Sequence, residues 1–121
     1  EVVMTRDTDL FVPLTTRTNR INAYRPDAFI SIHANSSAQS TVQGIETYCL
    51  SSHIFSDFAC ADTTCLQFKD VLQQRYAKSQ QLAELVHKQV LSGLASYDVC
   101  DRKIKHAGSQ VLLGANVPGI L

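Results

Sequence analysis

The chain has 121 residues, 45% of them hydrophobic and 18% charged. That composition belongs to one folded domain, or most of one, and excludes a disordered segment. Eleven basic and eleven acidic residues cancel, so no basic stripe points to a nucleic acid or an anionic membrane surface. No apolar run approaches the ~20 residues that a bilayer span needs, and Glu1-Val2-Val3 reads as a strand rather than a secretory leader.

Glu1 to Thr5 is β-branched and predicts a short strand, with Arg6-Asp-Thr-Asp9 as its exit loop. Pro13 suits the first turn of a helix running to about Tyr24, with Leu14, Thr18, Ile21 and Tyr24 along one face. Arg25-Pro26-Asp27 breaks it, because a residue before proline avoids the helical region. The next run, Ala28 to Ile32, lacks polar alternation, which suits a strand covered on both faces in a parallel sheet. Strand, helix and strand then make a βαβ unit with a right-handed crossover. His33 falls at the carboxyl end of this expected central strand, where open α/β sheets place their ligand sites. It is either a core histidine bonded to a neighbouring backbone group or a metal ligand. Asn35, Ser36 and Ser37 form the turn that follows.

Gly44 marks a turn into a strand over Ile45 to Leu50. Residues 51–78 make an extended connection in which Phe55 and Phe58 precede a helix from Thr64 to Tyr76, with Cys65, Phe68, Leu72 and Tyr76 on one face. Ser79 can cap a second helix whose buried stripe is Leu82, Leu85, Val86, Val90 and Leu94. No Pro or Gly separates the two helices, so one continuous helix is the alternative. His87 lies beside the apolar face and reads as a surface or boundary residue. Gln110 to Leu113 is strand-like, and Pro118-Gly-Ile-Leu121 begins the next strand. The four cysteines, Cys49, Cys60, Cys65 and Cys100, show no CxxC spacing, which argues against a thiolate zinc site. Cys49 is most simply a small core residue, while Cys60 and Cys65 can bridge in an oxidising compartment.

Taken in order, Val2-Val-Met-Thr-Arg-Asp-Thr-Asp9, Leu14-x-x-Arg17, Ile21-Asn22, Asp27-Ala-Phe-Ile-Ser-Ile-His-Ala-Asn-Ser-Ser37, Gly44-Ile-Glu-Thr-Tyr48, Ser79-Gln-Gln-Leu-Ala83, Asp101-Arg-Lys-Ile-Lys105 and Pro118-Gly-Ile-Leu121 resemble the zinc-dependent N-acetylmuramoyl-L-alanine amidases. The resemblance covers nearly the whole chain. It implies an α/β fold, a mainly parallel sheet flanked by helices, with residues 1–121 forming a partial amidase catalytic domain. It also implies a peptidoglycan hydrolase that cuts the amide between N-acetylmuramic acid and L-alanine outside the cytoplasm, in the periplasm or cell wall. Zinc is the implied cofactor, with His33 as one ligand. A second His and a Glu would precede residue 1, and the catalytic Glu would follow Leu121, so no catalytic residue is expected within the chain and the chain alone is expected to be inactive.

Zinc with an open coordination position suits amide hydrolysis, since it polarises a carbonyl and lowers the pKa of bound water to about 7. Asn35, Ser36 and Glu46 are candidates for a supporting or substrate-loop role. The family pattern carries an acidic residue at Glu46 without assigning it the metal. Peptidoglycan is the expected partner. In some relatives an inserted helix near residues 51–78 covers the zinc site and must be displaced, which brings in a regulatory activator protein. A packing embellishment is the alternative for that segment. The competing functional reading is a non-catalytic peptidoglycan-binding or regulatory module on the same scaffold.

Overall fold

A computed structural model describes residues 1–55 and 62–121. Its elements are helix α1 (Leu14–Tyr24), strands β1 (Phe29–Ile30) and β2 (Ile45–Cys49), a 3-10 turn at Ser52–Phe55, helix α2 (Thr63–Gly93), strand β3 (Asp101–His106), helix α3 (Gln110–Gly114) and strand β4 (Gly119–Ile120). The four strands form one sheet in the order β1-β4-β2-β3. The β1–β4 and β2–β3 pairs are parallel and the β2–β4 pair is antiparallel. The architecture is therefore α/β, with a mixed sheet in which parallel pairing predominates.

Alternation along β2 carries side chains to both faces of the sheet. Leu50 packs with Ile21, Phe29, Val111, Leu112 and Ala115 beneath α1 and α3. Cys49 and Ile120 meet Ala83 of α2 on the other side. Leu50 and Ile120 are 2% and 1% exposed, and each such burial contributes roughly 1.5–3 kcal/mol. Asn22 ties α1 to α3: its Nδ2 donates to Gly114 O at 2.9 Å and its Oδ1 accepts from Asn116 N at 2.8 Å.

Helix α2 takes the continuous alternative. Asp62 caps it by accepting from Cys65 N at 2.8 Å, and no Gly interrupts it before Gly93. Ser79 is accordingly not a cap. It is buried in mid-helix, and its Oγ accepts from Gly119 N at 3.0 Å. Small Ser79 and Ala83 let the sheet approach closely, so the buried face runs through Leu72, Ser79, Ala83 and His87. Leu82 and Val86 pack at its border, while Leu85 is 65% exposed. Gly119 serves the same closeness from the other face, since a Cβ there would fall inside the Phe29 ring.

Other expectations need correction. Glu1 to Thr5 is not a strand: no described strand lies alongside it, and Val2 and Met4 are exposed. The expected βαβ unit is consequently absent among the described residues. The Phe29–Ile32 run is not central, because β1 is two residues long and lies at the sheet edge. Phe29 is buried, but Ile30 and Ile32 are 52% and 94% exposed, since only β4 pairs with this strand. Gln110 to Leu113 is helical rather than extended, because Ser109 caps it by accepting from Leu112 N. His87 is buried, not at a boundary. Phe58 and Cys60, and with Cys60 the expected bridge to Cys65, lie outside the described residues.

Candidate functional site

The chain leaves β1 with Ser31 N donating to Ile120 O at 2.9 Å, and His33 follows two residues later in an exposed segment. Among the described residues, nothing hydrogen-bonds the His33 imidazole. A neutral ring in that state offers a nitrogen lone pair to a metal. Ser36 is exposed as well, and among the described residues Ser37 Oγ accepts only from Gln39 N, at 3.1 Å.

Asn35 and Glu46 are brought together. Asn35 Nδ2 donates to Glu46 Oε1 at 2.8 Å, and Tyr48 OH donates to the same oxygen at 3.1 Å. The other oxygen, Oε2, accepts from Lys105 Nζ at 2.5 Å and pairs with Arg102 at 2.8 Å. The parallel register that sets Tyr48 beside Lys105 brings these cations across from β3. The Glu46 side chain is only 8% exposed. The Lys105 hydrogen bond, with Asn35, Tyr48 and Arg102 assisting, holds its carboxyl at about 2 against the opposing effect of burial. Because that value lies below the usual 4.5, ionised Glu46 adds stability that is complete above pH 4.5 and is lost as the pH falls toward 2. A carboxylate so fully engaged is a poor general base, and as a metal ligand it would have to give up its cations.

A second polar assembly escaped sequence reading. Thr47 Oγ1 lies 2.9 Å from His87 Nδ1, and His87 Nε2 lies 2.9 Å from Asp101 Oδ1. The network is satisfied when Thr47 donates to Nδ1 and Nε2–H donates to the carboxylate. Lys103 first, then His87, hold the Asp101 carboxyl far below the usual range. Lys103 reaches Asp101 because it sits at a bulge in the β2–β3 ladder, with a φ of 69°. Thr47 and His87 are 6% exposed each, so the assembly fastens α2 to β2 and β3. The sequence signal was the small residues Ser79 and Ala83, which share the face of His87 at helical spacing.

The buried Cys49 thiol lies 3.3 Å from Gln80 Oε1 and 3.2 Å from His106 Nδ1, and burial pushes its pKa up. An open groove of about 560 Å³, lined by residues including Leu91, Leu94, Tyr97, Val99 and Asp101, includes none of His33, Asn35 and Glu46. Among the described residues, no three His, Cys, Asp or Glu side chains are grouped to hold a metal ion. The residues present therefore fit one ligand position, at His33, and not a complete set of ligands.

His33 thus lies just beyond the carboxyl end of β1, the position at which open α/β sheets place their ligand sites. The chain belongs to the N-acetylmuramoyl-L-alanine amidase family, whose model matches residues 1–121. It is 29% identical over 119 residues to the N-acetylmuramoyl-L-alanine amidase LytC of Bacillus subtilis, covering 98% of this chain and 19% of that protein. The crystal structure of an N-acetylmuramoyl-L-alanine amidase from Clostridium difficile 630 superposes with a TM-score of 0.73 at 27% identity, over 100% of this chain and 52% of that one. The amidase AmiC2 of Nostoc punctiforme gives a TM-score of 0.70 at 28% identity, over 98% and 51%. The chain thus spans about half the length of the solved enzymes that it resembles. No helix among the described residues is long and apolar enough to cross a membrane.

Proposed function

We propose that the full-length protein is a peptidoglycan hydrolase that cuts the amide between N-acetylmuramic acid and the L-alanine of the stem peptide, outside the cytoplasm, with His33 as one of its zinc ligands. The observation that carries this reading is the family match across residues 1–121, with His33 at a strand exit and its ring unengaged among the described residues. Zinc, when bound, supplies polarisation of the scissile carbonyl and a water of lowered pKa. The chain's own contribution is an imidazole nitrogen of His33, a loop fastened to the sheet through Asn35, and the ionised Glu46 that accepts from it. The remaining ligands, a His and a Glu by resemblance, and the catalytic Glu are assigned to segments outside residues 1–121. A regulatory activator that acts near residues 51–78 belongs to the same proposal.

The test is digestion of purified peptidoglycan by the full-length protein, with products read by mass spectrometry before and after chelation. The expected products are stem peptides with a free L-alanine amine, lost on chelation and restored by zinc. Intact stems accompanied by saturable binding to the sacculus would instead identify a non-catalytic module.

A further inference from the structure

We propose that Glu46 is a positioning residue for the His33 loop, acting through Asn35. The inference rests on the reading of His33 as a metal ligand and adds what keeps that ligand in place. After Ser31 N donates to Ile120 O, the next backbone hydrogen bond joining the chain to the sheet is Ile45 N to Cys100 O, at 2.9 Å. Between those points, the other hydrogen bonds among the described residues are local, Gln39 N to Ser37 Oγ and Val42 N to Gln39 O. Among the described residues, the single hydrogen bond from this segment to the rest of the fold is Asn35 Nδ2 to Glu46 Oε1, at 2.8 Å. It acts two residues from His33.

The anchor is itself fixed. Lys105 and Arg102 occupy Oε2, and Tyr48 shares Oε1 with Asn35. The carboxylate therefore has one orientation and presents a negatively charged acceptor to the Asn35 amide, the stronger kind of hydrogen bond. A loop with one tie would otherwise sample many conformations, and ordering it on metal binding would weaken affinity. Side chains that orient a metal ligand from behind commonly change affinity about 10–100-fold when removed. Glu46 does this at one remove, through Asn35 and the loop backbone, and makes no hydrogen bond to the imidazole. Arg102 and Lys105 are, in this view, the supports of the anchor rather than substrate-binding cations.

The experiment measures zinc affinity by chelator competition in the full-length protein carrying His33→Ala, Asn35→Ala, Glu46→Gln and the Asn35→Ala/Glu46→Gln pair. Thermal melting of each metal-free variant checks the fold. Asn35 is exposed, so Asn35→Ala should melt like the parent while binding zinc about 10–100-fold more weakly. The pair should bind no more weakly than the weaker of its single variants, since both substitutions break one link. Undiminished affinity in Asn35→Ala, with zinc lost from His33→Ala, would overturn the positioning role and leave the ligand reading standing. Additive losses in the pair would also overturn it, because Glu46 would then act without Asn35. Zinc retained by His33→Ala would remove the ligand reading and this proposal with it.

Discussion

On the β2–β3 side of the sheet, Thr47, His87 and Asp101 form a continuous hydrogen-bonded line that is buried at its first two members. On the β1 side, Ile30 and Ile32 are largely exposed, and Val2, Met4, Leu10 and Phe11 are exposed near the start of the chain. The first region is stabilised from within: α2 packs on β2, β3 and β4, and its polar groups satisfy one another. Apart from the buried Phe29, the second holds these apolar side chains in solvent, with nothing among the described residues to cover them. The residue proposed for chemistry, His33, leaves the sheet from the second region, and its loop is tied back to the first by Asn35 and Glu46. The buried line and the His33 loop thus lie on opposite flanks of one sheet, and among the described residues one side-chain hydrogen bond ties that loop to β2.

The largest expected effect comes from cutting the internal line. His87→Ala removes a buried ring and strands the Thr47 hydroxyl, which should cost about 2–4 kcal/mol in chemical denaturation of the full-length protein. A loss under about 0.5 kcal/mol would mean that the line does not fasten α2 to the sheet. The smallest effect is expected at the other flank. Ile32 is almost wholly exposed, so Ile32→Ser should change stability by no more than ~0.5 kcal/mol if the exposure seen in residues 1–121 persists in the full-length protein. A loss of several kcal/mol would show that Ile32 is covered there, and the contrast between the flanks would then describe these residues alone.

Much of this was legible in local sequence. Pro13 and Arg25-Pro26 bracket α1, Gly44 starts β2, and the uninterrupted stretch before Gly93 allows a single α2. Gly44 shows why such punctuation is reliable: its φ is +118°, and a Cβ there would lie 2.2 Å from Cys100 O. The failures share a cause, dependence on partners distant in sequence. The Phe29–Ile32 run has the composition of a doubly covered strand, but coverage depends on what pairs with it. Val111-Leu-Leu113 is too short for periodicity to separate strand from helix, and the Ser109 cap decides. His87 is polar on a face whose burial is set by close approach to the sheet. Of the candidate site, His33, Asn35, Ser36 and Glu46 were all named from sequence. What sequence could not supply is that Asn35 and Glu46 bond each other while Ser36 bonds nothing among the described residues.

The most direct test is the position of the metal in crystals of the full-length protein, read from anomalous scattering at the zinc edge. The expected result is a zinc ion about 2.0–2.1 Å from a ring nitrogen of His33, with Asn35 still bonded to Glu46. Zinc bound at full occupancy elsewhere, with the His33 ring out of reach, would contradict the assignment.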